Sequence, residues 1–233
     1  MEPKALVTLL NTFLTFATDH ILGFDGTVDK YIGDAIVAFW NAPMEAENHA
    51  VRAGLAALAI RDGMSRFDGL AIGIGLHTGE ALVGNVGSVN RLSYTAIGDT
   101  VNTASRLEGV TKQYSVPIIA SQSFYDEVER VNPDTLVFRK LDTVLVKGKK
   151  TPIGIYELVG ENGSITPATR RKLWQYNAGL TQYERGEFRS ASIAWSDASL
   201  MGDAVTRVMR ARSREYEKHR PTAWRGVTVL TSK

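Results

Sequence analysis

The sequence predicts an α+β fold with a helical tail, and three observations carry that prediction. Over the first 160 residues, apolar positions alternate between the helical step of three and four and short β-branched runs. Several of those runs are split only by turn residues, Gly33-Asp34 above all, so successive strands are joined as hairpins rather than through crossover helices. Around residues 160–166 the composition shifts to Gly, Asn, Ser and Pro, and the remaining stretch is helical throughout. This divides the chain into a mixed domain over 1–160 and a helical segment over 166–233.

Residues 3–22 form a helix: Leu6, Leu9, Leu10, Phe13, Leu14 and Phe16 recur at helical spacing, and Pro3 sits where a first turn tolerates it. Gly23 and Gly26 end it. Residues 27–32 and 35–40 are strands of one hairpin. Pro43 closes that unit, and Ala- and Leu-rich sequence over 45–67 reads as a second helix. Residues 70–77 and 81–86 form a second hairpin across Thr78-Gly79-Glu80. A strand over 93–97 leads through Gly98 into a helix over 100–114, with Asp99 placed as its cap. Residues 117–120 are a strand, 121–131 a helix capped by Ser121, and 137–146 and 153–158 two further strands. The tail holds helices over 167–183, 188–200 and 204–217.

Composition excludes several functions. The chain has 233 residues and no cysteine, which removes thiol catalysis, Cys-ligated zinc, iron–sulfur clusters and disulfides. Lys+Arg minus Asp+Glu is 27 − 25 = +2, too balanced for a nucleic-acid or membrane-surface binder. The most apolar run, residues 53–60, falls far short of the ~20 residues of a spanning helix. The N-terminus lacks a small-residue cleavage site. A cytoplasmic protein with no membrane segment and no nucleic-acid partner is expected.

Four segments could carry chemistry. Asp34, behind Gly33 in a hairpin turn, presents a carboxylate suited to a hard cation such as Mg²⁺, or is a solvated turn residue. Residues 75–87 hold four glycines that imply tight turns, yet neither a dinucleotide fingerprint nor a Walker loop is present, and His77 reads as structural. Asn102 and Arg106 lie four apart on one helix face, where an amide and a guanidinium could hold a sugar hydroxyl and a phosphate, or form an exposed polar stripe. Lys147, in Val146-Lys147-Gly148-Lys149-Lys150, could contact phosphates or lie in a solvated turn.

In this order and spacing the segments resemble the catalytic domain of the class III nucleotidyl cyclases. The matching text is GTVDKYIGDAIVAFWNAP over 26–43, IGLHTGE over 74–80, GNVG over 84–87 and YTAIGDTVNTASRLE over 94–108. The resemblance spans about residues 1–160. It implies a ferredoxin-like α+β core, a head-to-tail dimer with sites at the interface, and conversion of ATP to cyclic AMP and pyrophosphate with paired Mg²⁺ (or Mn²⁺). Position by position, Asp34 resembles a metal-binding aspartate, and Lys30 and Thr95 the pair that reads the purine. Asn102 resembles the ribose-orienting residue, Arg106 the one that stabilises the pentavalent phosphorus, and Lys147 the lysine on the terminal phosphates. Asp34 would serve the opposite face of the interface from the other five. Adenine offers an acceptor at N1 and a donor at its amino group, which suits a donor-only Lys30 and an accepting Thr95 hydroxyl, so ATP is expected over GTP.

One departure matters. The family's first metal-binding aspartate lies on a strand before the opening helix, and Met1 falls at the start of that helix; Asp25 and Asp29 do not match that position. The expectation is therefore an N-terminally truncated cyclase with unpaired sheet edges. Two other readings stay open: a catalytically silent module that dimerises with a complete cyclase, and an adaptor working through its helical tail. In the tail, Gly179, Gly186, Phe188, Ala191, Trp195 and Ala198 follow the spacing of a tetratricopeptide repeat. A single such repeat is expected to pack on the first domain or on a partner. Residues 224–233 resemble C-termini that follow bacterial cyclase domains.

Overall fold

The computed structural model describes residues 2–145 and 151–230. Helix α1 (Pro3–Gly23) is followed by strands β1 (Thr27–Ile32) and β2 (Ala35–Phe39), helix α2 (His49–Asp62), and strands β3 (Ile74–Leu76), β4 (Leu82–Ser88) and β5 (Arg91–Ile97). Helix α3 (Asp99–Tyr114), strand β6 (Ile118–Ser121), helix α4 (Gln122–Val131) and strands β7 (Leu136–Leu145) and β8 (Ile153–Glu161) complete the mixed region. The tail comprises α5 (Pro167–Glu184), α6 (Phe188–Ala194), α7 (Ala204–Lys218) and strand β9 (Thr228–Val229).

A five-stranded sheet, ordered β3-β6-β8-β7-β9, divides the core. Strand alternation sorts its side chains. Ile118 and Ala120 of β6 join the cluster under α2 and α4, with Phe124, Val128, Leu136 and Leu158. Ile119, between them, points the other way, into a cluster with Leu107, Val110 and Tyr114 of α3 and the tail aromatics. The result is three layers, helices on both faces of one sheet. β1–β2 and β4–β5 form two separate antiparallel hairpins. Ile36, Ala38 and Trp40 share an apolar cluster with Ile72 and Ile74 beneath α1, yet no backbone ladder joins β2 to β3 among the described residues.

Several expectations need correction. The second hairpin does not pair residues 70–77 with 81–86. β3 pairs in parallel with β6, and β4 pairs with β5 from Leu82↔Ile97 to Ser88↔Arg91. The Thr78-Gly79-Glu80 segment reads locally as a turn, but a parallel partner over forty residues away cannot be seen from local pattern. α2 starts at His49 rather than near residue 45, because the chain after Asn41 is held in turns, with Asn41 at φ 71° and its side chain accepting from the Ala46 amide. α3 begins with Asp99 itself as its first helical residue, behind Gly98. The cap at Ser121 is as expected: its hydroxyl accepts from the Phe124 amide.

α1 is long and apolar enough, by length and composition, to cross a membrane. Its apolar character does not show as an uninterrupted run, because threonines break the run while barely lowering its average hydropathy. Thr8, Thr12 and Thr15 return their hydroxyls to carbonyls four residues back. Here its C-terminal half packs Ala17 and Ile21 against Ile60.

The tail helices share a core with α3 and β7. Gly179 lets the Trp195 indole lie directly on α5, where Trp195 Nε1 donates to the Tyr176 carbonyl at 3.0 Å. Two arginines tie the layers together. Arg139 of β7 binds Glu157 of β8 and both oxygens of Asp203, the α7 cap, while lying over the Tyr176 ring. Arg212 of α7 donates to Asp142 of β7 at 2.8 Å and to the Tyr114 hydroxyl at 3.0 Å, and Tyr114 in turn donates to Asp142 at 2.7 Å. Asp142 is 0% exposed. Burial pushes its carboxyl upward, and the Arg212 charge with the Tyr114, Thr228 and Thr143 hydrogen bonds opposes that shift. β9 returns beside β7, and the Leu230 amide donates to the Leu145 carbonyl.

Candidate active site

β1 carries an irregularity that shapes the site. Val28 pairs with Ala38 and Lys30 with Val37, so Asp29 is an extra residue in the strand. Neighbouring strand residues normally point to opposite faces; a bulge re-aims one of them. Asp29 and Lys30 thereby both reach Thr95 on β5. Lys30 Nζ donates to Thr95 Oγ1 at 2.9 Å, and Thr95 Oγ1 donates to Asp29 Oδ2 at 2.8 Å. The Ala96 amide donates to the same carboxylate oxygen at 3.4 Å, and Lys30 Nζ lies 3.5 Å from Asp29 Oδ1. The Asp29 side chain is 1% exposed and Thr95 5%, whereas the Lys30 side chain keeps 47% of its surface open to solvent. A half-exposed cation thus sits against a buried hydroxyl, with a buried carboxylate holding both.

α3 follows β5 directly, behind Gly98, and no hydrogen bond or ion pair joins Asn102 or Arg106 to the Lys30–Thr95 pair among the described residues. Asn102 is exposed on it, and Arg106, one turn on, is half-buried. Arg106 Nη1 is enclosed with no hydrogen-bond partner among the described residues. A buried donor without a partner is costly, about 1–3 kcal/mol, and its natural complement is an anion. α3 can approach this closely because Gly75 of β3 has no side chain: a Cβ there would collide with the Ala104 carbonyl and the Glu108 amide. Gly75→Ala should therefore lower stability by about 1–3 kcal/mol and push α3 outward, read as a fall in the urea midpoint together with weaker nucleotide binding.

Asp34 stands apart. It occupies the two-residue turn of the first hairpin, exposed, beyond the Ile32↔Ala35 pair, with Gly33 supplying the positive φ of 65°. No hydrogen bond or ion pair joins it to Lys30, Thr95, Asn102 or Arg106 among the described residues. Nor do those residues contain a group of three or more His, Asp or Glu side chains able to hold a metal ion. Lys147 lies outside the described residues. His77 is tied to the Ser121 hydroxyl at 2.8 Å, beside the start of α4. Asp25 is paired with Arg52.

The model of the adenylate and guanylate cyclase catalytic domain matches residues 1–160. The chain belongs to this cyclase family. It is 38% identical over 168 residues to adenylate cyclase 1 of Rhizobium meliloti, a match covering 68% of this chain and 25% of that protein. Among solved structures, it is similar to the adenylyl cyclase CyaB of P. aeruginosa, with a TM-score of 0.60 and 31% identity over 71% of this chain and 88% of that one. It is also similar to the guanylate cyclase domain of RhGC from Catenaria anguillulae, solved with GTP. That likeness has a TM-score of 0.59 and 27% identity, covering 69% of this chain and 87% of the other. The chain spans a third or less of the first curated cyclases it matches. Within this cyclase domain, the Lys30–Thr95 pair and the Asn102–Arg106 face are legible in the sequence, whereas Asp29 is not. An Asp-Lys dipeptide in a strand reads as two opposite faces, and nothing local announces the bulge.

Proposed function

We propose that this cyclase domain converts ATP to cyclic AMP and pyrophosphate in a dimer with shared interface sites. The observation that carries the reading is the Lys30–Thr95 contact. An ammonium that can only donate, beside a hydroxyl that can accept, complements N1 and the amino group of adenine. Guanine reverses both polarities on that edge.

In this reaction the ribose 3′-hydroxyl gives up its proton to water and its oxygen bonds to the α-phosphorus as the bond from that phosphorus to pyrophosphate breaks. Asn102 would orient the ribose. The Arg106 guanidinium, whose Nη1 has no partner among the described residues, would meet the negative charge that builds on the phosphorus, and Lys147 would contact the terminal phosphates. Asp34 would hold Mg²⁺ or Mn²⁺: an exposed carboxylate at a turn fits a hard cation that takes its other ligands from water and substrate phosphates. A bound metal of this kind lowers the pKa of the hydroxyl and neutralises charge on the leaving group. The exposed apolar side chains of the β4–β5 hairpin support pairing with a second copy: Val89 at its tip is 99% exposed, Leu82 70% and Leu92 61%.

Incubating the 233-residue chain with ATP and Mg²⁺ or Mn²⁺ should yield cyclic AMP. Asp34→Ala should reduce the product about a hundredfold or more with the fold intact. Product unchanged in the variant would remove Asp34 from the site. A second reading is favoured by the absence, among the described residues, of any group of three or more His, Asp or Glu side chains able to hold a metal ion: a silent half that lends Lys30, Thr95, Asn102, Arg106 and Lys147 to a complete partner. It predicts that this chain restores activity to a complete homologue whose purine-side residues are mutated, while making no product alone.

A further inference from the structure

Thr95 has one hydroxyl hydrogen and two lone pairs. Its two protein contacts fix where that hydrogen goes. Lys30 Nζ, at 2.9 Å, can only donate, so the hydrogen does not point there. Asp29 Oδ2, at 2.8 Å, also receives the Ala96 amide, which can only donate, and is therefore an acceptor. The Thr95 hydrogen is committed to Asp29, one lone pair is committed to Lys30, and a single lone pair is left to face a ligand.

We propose that Asp29 is a specificity-determining positioning residue, which locks Thr95 as an acceptor toward the purine and so makes the site select a 6-amino purine nucleotide. This rests on the reading of Lys30 and Thr95 as the purine pair. A hydroxyl free to rotate would accept from the adenine amino group or donate to the guanine O6 with little preference. A hydroxyl whose proton is held from behind cannot make the second choice: its lone pair faces the lone pairs of O6. The carboxylate also lies 3.5 Å from the Lys30 ammonium, which holds that donor beside Thr95. Asp29 itself, 1% exposed behind the pair, has no access to the base and acts only through them.

The test is nucleotide binding by the 233-residue chain, measured as displacement of a fluorescent ATP analogue by ATP and by GTP. Wild type should favour ATP by at least about tenfold. Asp29→Ala and Asp29→Leu, which remove the acceptor, should lower the ATP-to-GTP ratio about tenfold. Asp29→Asn keeps an acceptor for the Thr95 hydroxyl and the Ala96 amide but turns its NH2 toward the Lys30 ammonium, so it should bind both nucleotides more weakly while keeping an ATP-to-GTP ratio clearly above that of Asp29→Ala. Thr95→Val should lose the same discrimination, and adding Asp29→Ala to it should change the ratio no further. A purely structural role would weaken ATP and GTP alike and leave the ratio untouched; that result overturns the proposal while the purine pair stands. Failure of both Ala and Leu variants to fold, by circular dichroism, would assign the carboxylate to the fold and overturn it as well. Wild type that binds neither nucleotide, or prefers GTP, would instead overturn the underlying reading of the site and this inference with it.

Discussion

Arg106→Ala should lower cyclic AMP formation by about 10²–10³-fold without lowering the stability of the protein. The first half follows from the loss of a fixed positive charge where the transferring phosphorus gathers negative charge, a deletion that typically has this magnitude in enclosed sites. The second half follows from the isolation of the group. Nη1 is buried and donates to nothing among the described residues, so truncation removes a buried unsatisfied donor rather than a hydrogen bond at that atom. Product formation and the thermal midpoint, measured on the same preparations, check the two halves together. A fall in activity accompanied by a comparable loss of stability would mean that Arg106 props α3 instead of waiting for a phosphate. Arg106→Lys should recover only part of the activity, since an ammonium keeps the charge but not the planar fork that fits two oxygens.

Removing one member of the Asp142–Arg212 pair should have the largest effect on stability. Either Asp142→Ala or Arg212→Leu leaves the other charge enclosed without its partner, a change that typically costs about 3–5 kcal/mol. At this chain length that corresponds to a thermal midpoint lower by roughly 6–20 °C. Tyr114 is drawn in too, because its hydroxyl bridges the two groups and it forms the last residue of α3. The double variant Asp142→Leu/Arg212→Met should recover most of the loss, since an apolar pair of similar volume carries no desolvation penalty. Equal losses in the single and double variants, followed by thermal unfolding, would place the stabilisation in packing rather than charge. The consequence for function is mechanical: α7 holds the end of the helix whose opening turns bear Asn102 and Arg106.

The elements legible in the sequence are those whose cause is local. Pro3 opens α1, Ser121 caps α4 through its own hydroxyl, and Gly33-Asp34 closes the first hairpin with a two-residue turn. Lys30 and Thr95 are legible as a pair only through the family pattern, being 65 residues apart. Three features are not legible, each for a physical reason. The parallel partner of β3 is β6, and a short glycine-containing run carries no mark of whether its ladder is local or distant. The bulge at Asp29 is a matter of one unpaired residue, invisible in the alternation of side chains. The tail reads as helices, but the buried ion pairs through Arg139 and Arg212 that fasten it to β7 look, in sequence, like ordinary charged residues of amphipathic strands and helices.

Turn geometry, capping and periodicity act within a few residues of each other, so most of the elements, the cyclase family and the chemical types along β1, β5 and α3 can be read from the order of residues alone. Which way those groups point, and what stands behind them, cannot. The direction of the Thr95 hydroxyl is set by a carboxylate that the strand bulge turns inward. The enclosed Arg106 donor and the close seating of α3 on Gly75 exist only in the packed fold, and the tail is attached by charges that meet only when α7 is laid on the sheet. Hydrogen-bond direction and burial are properties of neighbours in space, and the sequence orders neighbours only along the chain.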